Sequence, residues 1–407
     1  GLAMGVTIQA KPEFNRDYHG GYFAPSNAFP IMAEEQDFLT RGVLSWTSPH
    51  LDLAIGRDRV GYGDDVRGSI MPGSSLPYLD AIKGELRLGP ARLDWMVANI
   101  ESKQSWEARA FGSDYDVEPN LGVAPPTSLF GFETSDTPTA IYEMFHRISW
   151  DFGALRFELA ENYIVARPSN RLVVTDLLPL SVWHNANEVP NNDTLYINAT
   201  WKPSEDLKLA FQGGFDDING EILGIPDSGN TIPAAVLGLT WAKDTGAGEF
   251  GLYTELGYTH YLWGSFSAHG QIGIKYDDPL ARAIYRLDLD NGAGLIPLTS
   301  PYGPGALWFL ASGGLELGGS GLRLGTELLV LGKNTEANLI ATPYDKTIQD
   351  APWELFASLK LPVRYRTGSI DLTASPDLCL RNRQLWLEAA FVLGYHFRAA
   401  RVIDDRP

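Results

Sequence analysis

The side chains best suited to binding chemistry are arginines set among carboxylates. Arg57 and Arg147 could each clamp a carboxylate bidentately. The partner would be Glu161 or a sugar acid. Leaving either guanidinium unpaired inside an apolar wall costs desolvation energy, which favours a partner within the protein. Arg87, Arg282 and Arg286 belong to segments in which charges of both signs share one face of a period-two pattern. Such a face either braces a wall through ion pairs or lines a passage for ligands or ions. Between the periodic segments lie Tyr18, Tyr22, Phe23, Trp106, Phe130 and Trp183. Their flat rings could stack on sugars or pack the loops on themselves.

Other chemistries find less support. Asp pairs at 64–65, 216–217 and 277–278 offer calcium-type oxygens, but no EF-hand spacing surrounds them, and solvated loop carboxylates are the default reading. Gly56, Gly61, Gly63 and Gly68 suit an irregular loop, and no strand–loop–helix context makes them a phosphate cradle. The seven His are scattered, and none lies beside a Ser or Asp motif that would build a nucleophile with its base. The chain therefore reads as a non-enzyme without a cofactor. A single cysteine, Cys379, excludes an intrachain disulfide and a zinc site made of cysteines. The net charge of −18 argues against nucleic acid, which selects basic surfaces.

The elements that must carry these residues are long strands. In 206–216, Leu207, Leu209, Phe211 and Phe215 oppose Lys208, Gln212 and Asp216. In 353–365, Trp353, Leu355, Ala357, Leu359, Leu361, Val363 and Tyr365 oppose Glu354, Ser358, Lys360 and Arg364. The 385–397 and 266–276 segments alternate likewise. Soluble strands average about 5–6 residues. Crossing a bilayer at a tilt takes about 9–11. No run of eighteen apolar residues offers a helical span.

Short turns near 47–49, 89–90, 151–153, 203–205, 243–247, 277–279, 319–320 and 365–368 alternate with mostly long connections. The latter cover 15–38, 59–81, 101–138, 167–191, 218–232, 261–265, 288–304, 334–351 and 380–383. The expectation is an all-β, transmembrane antiparallel β-barrel of about eighteen strands over 1–397, with short periplasmic turns and long extracellular loops. By parity its lumen receives Lys83, Glu85, Arg87, Arg92, Asp94, Arg156, Glu158, Asn162, Lys208, Gln212, Arg282 and Arg286, among others. Alternating aromatics in the last strand, through Phe397, are similar to the signal that barrel-assembly machinery reads. Residues 398–407 are then a periplasmic tail. The opening GLAMGVTIQA already reads as a strand, so an export signal is expected to have been removed.

Three stretches resemble the capsule-assembly outer-membrane proteins of the Wzi type. In 54–77 the matching residues are Gly56, Arg57, Tyr62, Gly63, Gly68, Ser69 and Ser74. In 143–165 they are His146 and Arg147 before a tight turn, with Glu161 late in the next strand. In 209–220 they are Asp216 and Asp217. The resemblance implies an eighteen-stranded barrel in a bacterial outer membrane, in contact with its lipid, that holds capsular or other surface polysaccharide. The expected form is a monomer, with the glycan bound chiefly by loops 59–81 and 101–138. A diffusion porin is the rival reading, and Arg57, Arg87, Arg147, Glu161, Arg282, Arg286 and Trp106 are the candidate ligand or lumen residues.

Overall fold

The computed structural model describes residues 2–8, 39–63, 65–73, 79–102, 139–168, 172–177, 191–216, 231–246, 248–267, 279–282, 284–287, 294–298, 300–335, 337, 341–343 and 350–395. The first strands are β1 (Leu2–Ile8), β2 (Leu39–Thr47), β3 (Leu51–Asp58), β4 (Leu79–Leu88), β5 (Ala91–Ser102) and β6 (Thr139–Asp151). They are followed by β7 (Leu155–Pro168), β8 (Asn191–Trp201), β9 (Leu207–Phe215), β10 (Pro233–Asp244) and β11 (Gly248–Thr259). Short strands β12 (Ser265–Ser267), β13 (Pro279–Arg282), β14 (Ile284–Leu287) and β15 (Gly294–Pro297) come next. Then come β16 (Ala306–Leu317), β17 (Leu322–Asn334), β18 (Ala341–Pro343), β19 (Trp353–Lys360), β20 (Val363–Thr367), β21 (Ile370–Arg381) and β22 (Gln384–Tyr395).

One antiparallel sheet runs β1 to β11, then β16, β17, β19 with β20, β21 and β22. Strands β19 and β20 are one wall strand interrupted at Leu361–Pro362, since both pair with β17 and β21. Proline has no N–H to give the ladder. The carbonyl of Pro362 still accepts from Gly325 N, and Leu361 N donates to Pro376 O. Among the described residues the wall therefore has sixteen strand positions, and β1 and β22 stand at the two ends of the order.

The fold is the expected transmembrane β-barrel, with two strands fewer than the sequence reading. Strands β11 and β16 pair directly, from Gly248↔Leu317 to Thr259↔Ala306. That ladder leaves no wall position for 280–287, and of the expected 266–276 strand residues 268–276 lie outside the described residues. Instead β12, β13 and β18 form a small separate sheet, and β14 with β15 another, within the excursions from the wall. The period-two pattern that suggested wall strands is common to any half-buried hairpin. Arg282 in β13 and Arg286 in β14 thus lie outside the wall, which corrects their placement as lumen-facing wall residues.

Outward positions of the described wall strands are largely apolar. Leu53 and Ile55, Leu237, Leu256, Phe309, Leu355 and Leu387 are all exposed there. Trp150 stacks with Phe157 and Trp241 meets Phe250 edge-on toward the turn end, where a girdle at the membrane interface belongs. The inner row mixes polar and charged side chains with buried aromatics such as Phe145 and Trp308. Among the described residues no helix is long and apolar enough to cross a membrane.

Candidate functional site

The loop from β3 to β4 does not stay outside. Residues 59–73 fold against the inner row and are held by strands from β5 round to β17. Inner-facing Glu255 on β11 is the main anchor. Its carboxylate accepts from Arg67 N at 2.7 Å and from Gly68 N at 3.0 Å. It also accepts from Trp308 Nε1 on β16 at 2.5 Å and from Tyr253 Oη. Gln212 on β9 accepts from Ile70 N and donates to Gly63 O. Asn198 on β8 meets the Met71 sulfur, and Lys208 on β9 pairs with Asp65. Arg67 pairs with Glu327 on β17 at 2.7 Å and lies over the Tyr253 ring. A segment this short can reach so many distant strands only on the concave side of a curved sheet. It is a plug.

The sequence explains the fit. A Cβ on Gly68 would stand 2.5 Å from Glu255 Oε1, so only glycine lets the backbone reach that carboxylate. A Cβ on Gly63 would collide with Ser69 Oγ. Val60, Val66, Ile70 and Met71 supply the apolar body and are fully buried.

Arg147 seals the β5–β7 side. It donates to Asp94 at 2.8–2.9 Å and to the Tyr62 carbonyl at 3.1 Å, and reaches Glu158 at 3.2 Å. Its guanidinium lies over the Tyr62 ring, which stacks on Phe145 at 4.3 Å. Burial, reinforced by Asp94, pushes the Tyr62 phenol well above its usual pKa and keeps it neutral. A cavity of about 430 Å³ remains between plug and wall, bounded by Asp52, Arg59, Lys83, Glu85 and Asp94 among others. On the loop side, Asp216 accepts from Asn192, Thr194 and Gly264 N, and Lys333 donates to the carbonyls of Tyr302 and Pro304. These bonds draw 260–264 and 300–305 over the lumen as well.

The three family-like stretches meet here. Tyr62, Gly63, Gly68 and Ser69 form the plug, Arg147 holds it, and Asp216 holds the loop above it. Glu161, the expected protein partner of Arg57 or Arg147, meets neither. Arg57 pairs with Asp80 on the outer face, at 2.9 Å. Glu161 pairs with His146 at 2.9 Å, also on the outer row. Side chains alternate between faces, so Arg147 points inward while His146 points out. Arg87 faces the lumen, paired with Asp52 and Glu85. Trp106 and the rest of 103–138 lie outside the described residues. Glu255, Tyr253 and Trp308 were missed by the sequence reading. Parity along β11 and β16 was the signal that placed them inside.

Near β22, Asp377, Cys379 and Glu388 bring their donor atoms within 4.8 Å of one another. Both carboxylates are already engaged, Asp377 by Ser358 and Glu388 by Trp386.

Removing a partner from a buried pair costs far more than from an exposed one. Arg147→Ala should destabilise the barrel by about 3–5 kcal/mol. Arg57→Ala, whose partner Asp80 is exposed, should cost about 0–1 kcal/mol. The temperature at which the folded band is lost on a heat-modifiability gel checks both. Equal losses would contradict the assigned burial.

Fold and lumen together define the class, a transmembrane β-barrel with an inward-folded plug, as found in outer membranes. The chain is similar to Wzi of Escherichia coli, an outer-membrane protein involved in group 1 capsule assembly and a carbohydrate-binding β-barrel. The TM-score is 0.53 at 11% identity, over 91% of this chain and 74% of that one. A BenF-like porin from Pseudomonas fluorescens Pf-5 has a TM-score of 0.43 at 8% identity, over 87% and 76%. OccAB4 of Acinetobacter baumannii has 0.42 at 10%, over 87% and 73%. At 11% identity what the chain shares with Wzi is the fold. No family model and no curated protein sequence matches. The Wzi-type resemblance read from the three stretches is thus borne out at the level of fold.

Proposed function

We propose that the chain is a plugged outer-membrane barrel that binds a surface polysaccharide at its outer end and does not serve solute diffusion. One observation carries the reading: the 59–73 segment is anchored across the lumen by Glu255, Gln212 and Arg147. A diffusion porin needs a continuous water path there. The likeness to a carbohydrate-binding barrel supports the same choice. The plug also moves the expected binding surface. With 59–73 inside, the glycan-facing part falls to the remaining loops at that end, chiefly 101–138. Loops on a rigid scaffold are where specificity usually resides. The net charge of −18 makes bulk electrostatic capture of an acidic glycan unfavourable. Binding then rests on local arginines and aromatic stacking.

A glycan array probed with the native protein and with a 103–138 deletion tests this. Binding by the native chain and its loss on deletion are expected. Binding by neither, with both folded, would remove the polysaccharide reading.

A further inference from the structure

One place on the outer wall breaks its pattern of large apolar side chains. On β16 the outward residues are Phe309, Ala311, Gly313 and Leu315 in turn. Beside them in register stand Leu252 and Phe250 on β11, and Leu328, Thr326 and Leu324 on β17. A small floor of Ala311 and Gly313 therefore lies among large side chains. Phe250, Leu252, Leu315, Leu324 and Leu328 wall an outward-opening notch of about 450 Å³ over it. Nothing among the described residues accounts for the lack of a side chain at 313. A Cβ there would meet Thr326 Cγ2 at 3.6 Å and Gly251 O at 3.8 Å, both ordinary contacts. Its φ is not among the left-handed ones. Glycine inside a strand gives up packing and entropy, and it marks places where another group comes close. At Gly84 and Gly257 that group is the ring of Trp95 and of Trp308, which a Cβ would strike. At Gly313 no described residue supplies it.

The position of the notch says what covers it. It opens on the lipid-facing row, and of the outward side chains that line it only Thr326 is polar. Phe250 and Leu324 stand two residues in from the turn ends of β11 and β17, so the notch lies in the periplasmic leaflet. A second copy of the barrel fits it poorly, since a two-fold contact would set notch against notch and enclose a void. An acyl chain is flexible, apolar and already present at that depth. We propose that the notch holds one acyl chain of a periplasmic-leaflet phospholipid, as a bound lipid distinct from the exchanging annulus. A chain lying on Ala311 and Gly313 meets the wall beneath and on both sides, whereas a flat wall offers contact on one side only. The site does not depend on what the loops bind outside.

The test uses the full-length folded barrel, reconstituted in vesicles of palmitoyl-oleoyl phosphatidylglycerol, extracted into mild detergent and weighed by native mass spectrometry. The native chain should keep one phospholipid per barrel through detergent exchange. Gly313→Leu fills the floor without a clash and should lose that lipid. Thr326→Leu narrows the notch from β17 and should lose it too, which covers a failure of the first variant to fold. Ala199→Leu, a like enlargement on the outward row of β8, should leave the lipid in place. Folding of each variant is read from the heat-modifiable band. Equal lipid in the native chain and both notch variants, or none in the native chain, would overturn the proposal. A lipid-free dimer of the native chain that Gly313→Leu abolishes would overturn it as well, and assign the notch to a second copy.

Discussion

Replacing residues 60–72 with a short Gly-Ser linker is expected to turn a closed barrel into a permeable one. Barrels of 16–18 strands leave an aqueous channel unless something fills it. Among the described residues the wall has sixteen strand positions, and the filling across the β5–β17 arc is the plug. Its excision removes Val60, Val66, Ile70 and Met71 from the lumen and frees the carboxylate of Glu255. The β3–β4 pairing, from Leu51↔Leu86 to Asp58↔Leu79, remains to close the hairpin. Proteoliposomes carrying the excised chain should swell rapidly in small neutral sugars, while native proteoliposomes should match protein-free ones. A milder change points the same way. Glu255→Leu strands the buried donors of Gly68 and Trp308, each at about 1–3 kcal/mol, and should loosen the plug to a partial leak. Swelling that is identical with and without the plug would mean that 260–264 and 300–305 seal the lumen unaided.

The second large effect concerns the outer face. Leu387 on β22 is 69% exposed, whereas its neighbour Glu388 faces inward and accepts from Trp386 Nε1 at 2.7 Å. An arginine at the lipid-facing mid-membrane position should cost about 2–4 kcal/mol. Leu387→Arg should therefore depress the yield of folded barrel in lipid vesicles and shift its urea midpoint downward. Glu388→Ala, one residue away, should leave both near native. Equal damage from the two changes would contradict the face assignment for β22.

Much of this wall was legible in the sequence, because strand parity and turn chemistry are local. Asp-Phe-Gly at 151–153, Gly89-Pro90 and Gly319-Ser320 mark turns that the structure keeps between β6 and β7, β4 and β5, and β16 and β17. The inward set from Lys83 to Gln212 also stands, since alternation fixes a face once one residue is placed. The strand count did not hold among the described residues: 280–287 carries the same local period as the wall but loses its place to the β11–β16 ladder, while 268–276 lie outside the described residues. That competition is decided by pairing between distant segments. The plug was hidden for the same reason. Gly68 meets Glu255 across 187 residues, and nothing in either neighbourhood announces the other. Glu161 missed Arg147 on parity, with Arg147 turned inward and Glu161 outward, and missed Arg57 because β3 and β7 stand four strands apart.

Single-channel recording of the native, full-length protein in a planar bilayer separates a plugged binder from a diffusion pore. With 59–73 seated on Glu255, Gln212 and Arg147, native barrels should insert without conductance steps, and the plug-excised chain should give them in the same membrane. Large, stable steps from the native chain would contradict the plugged lumen and establish the diffusion porin in its place.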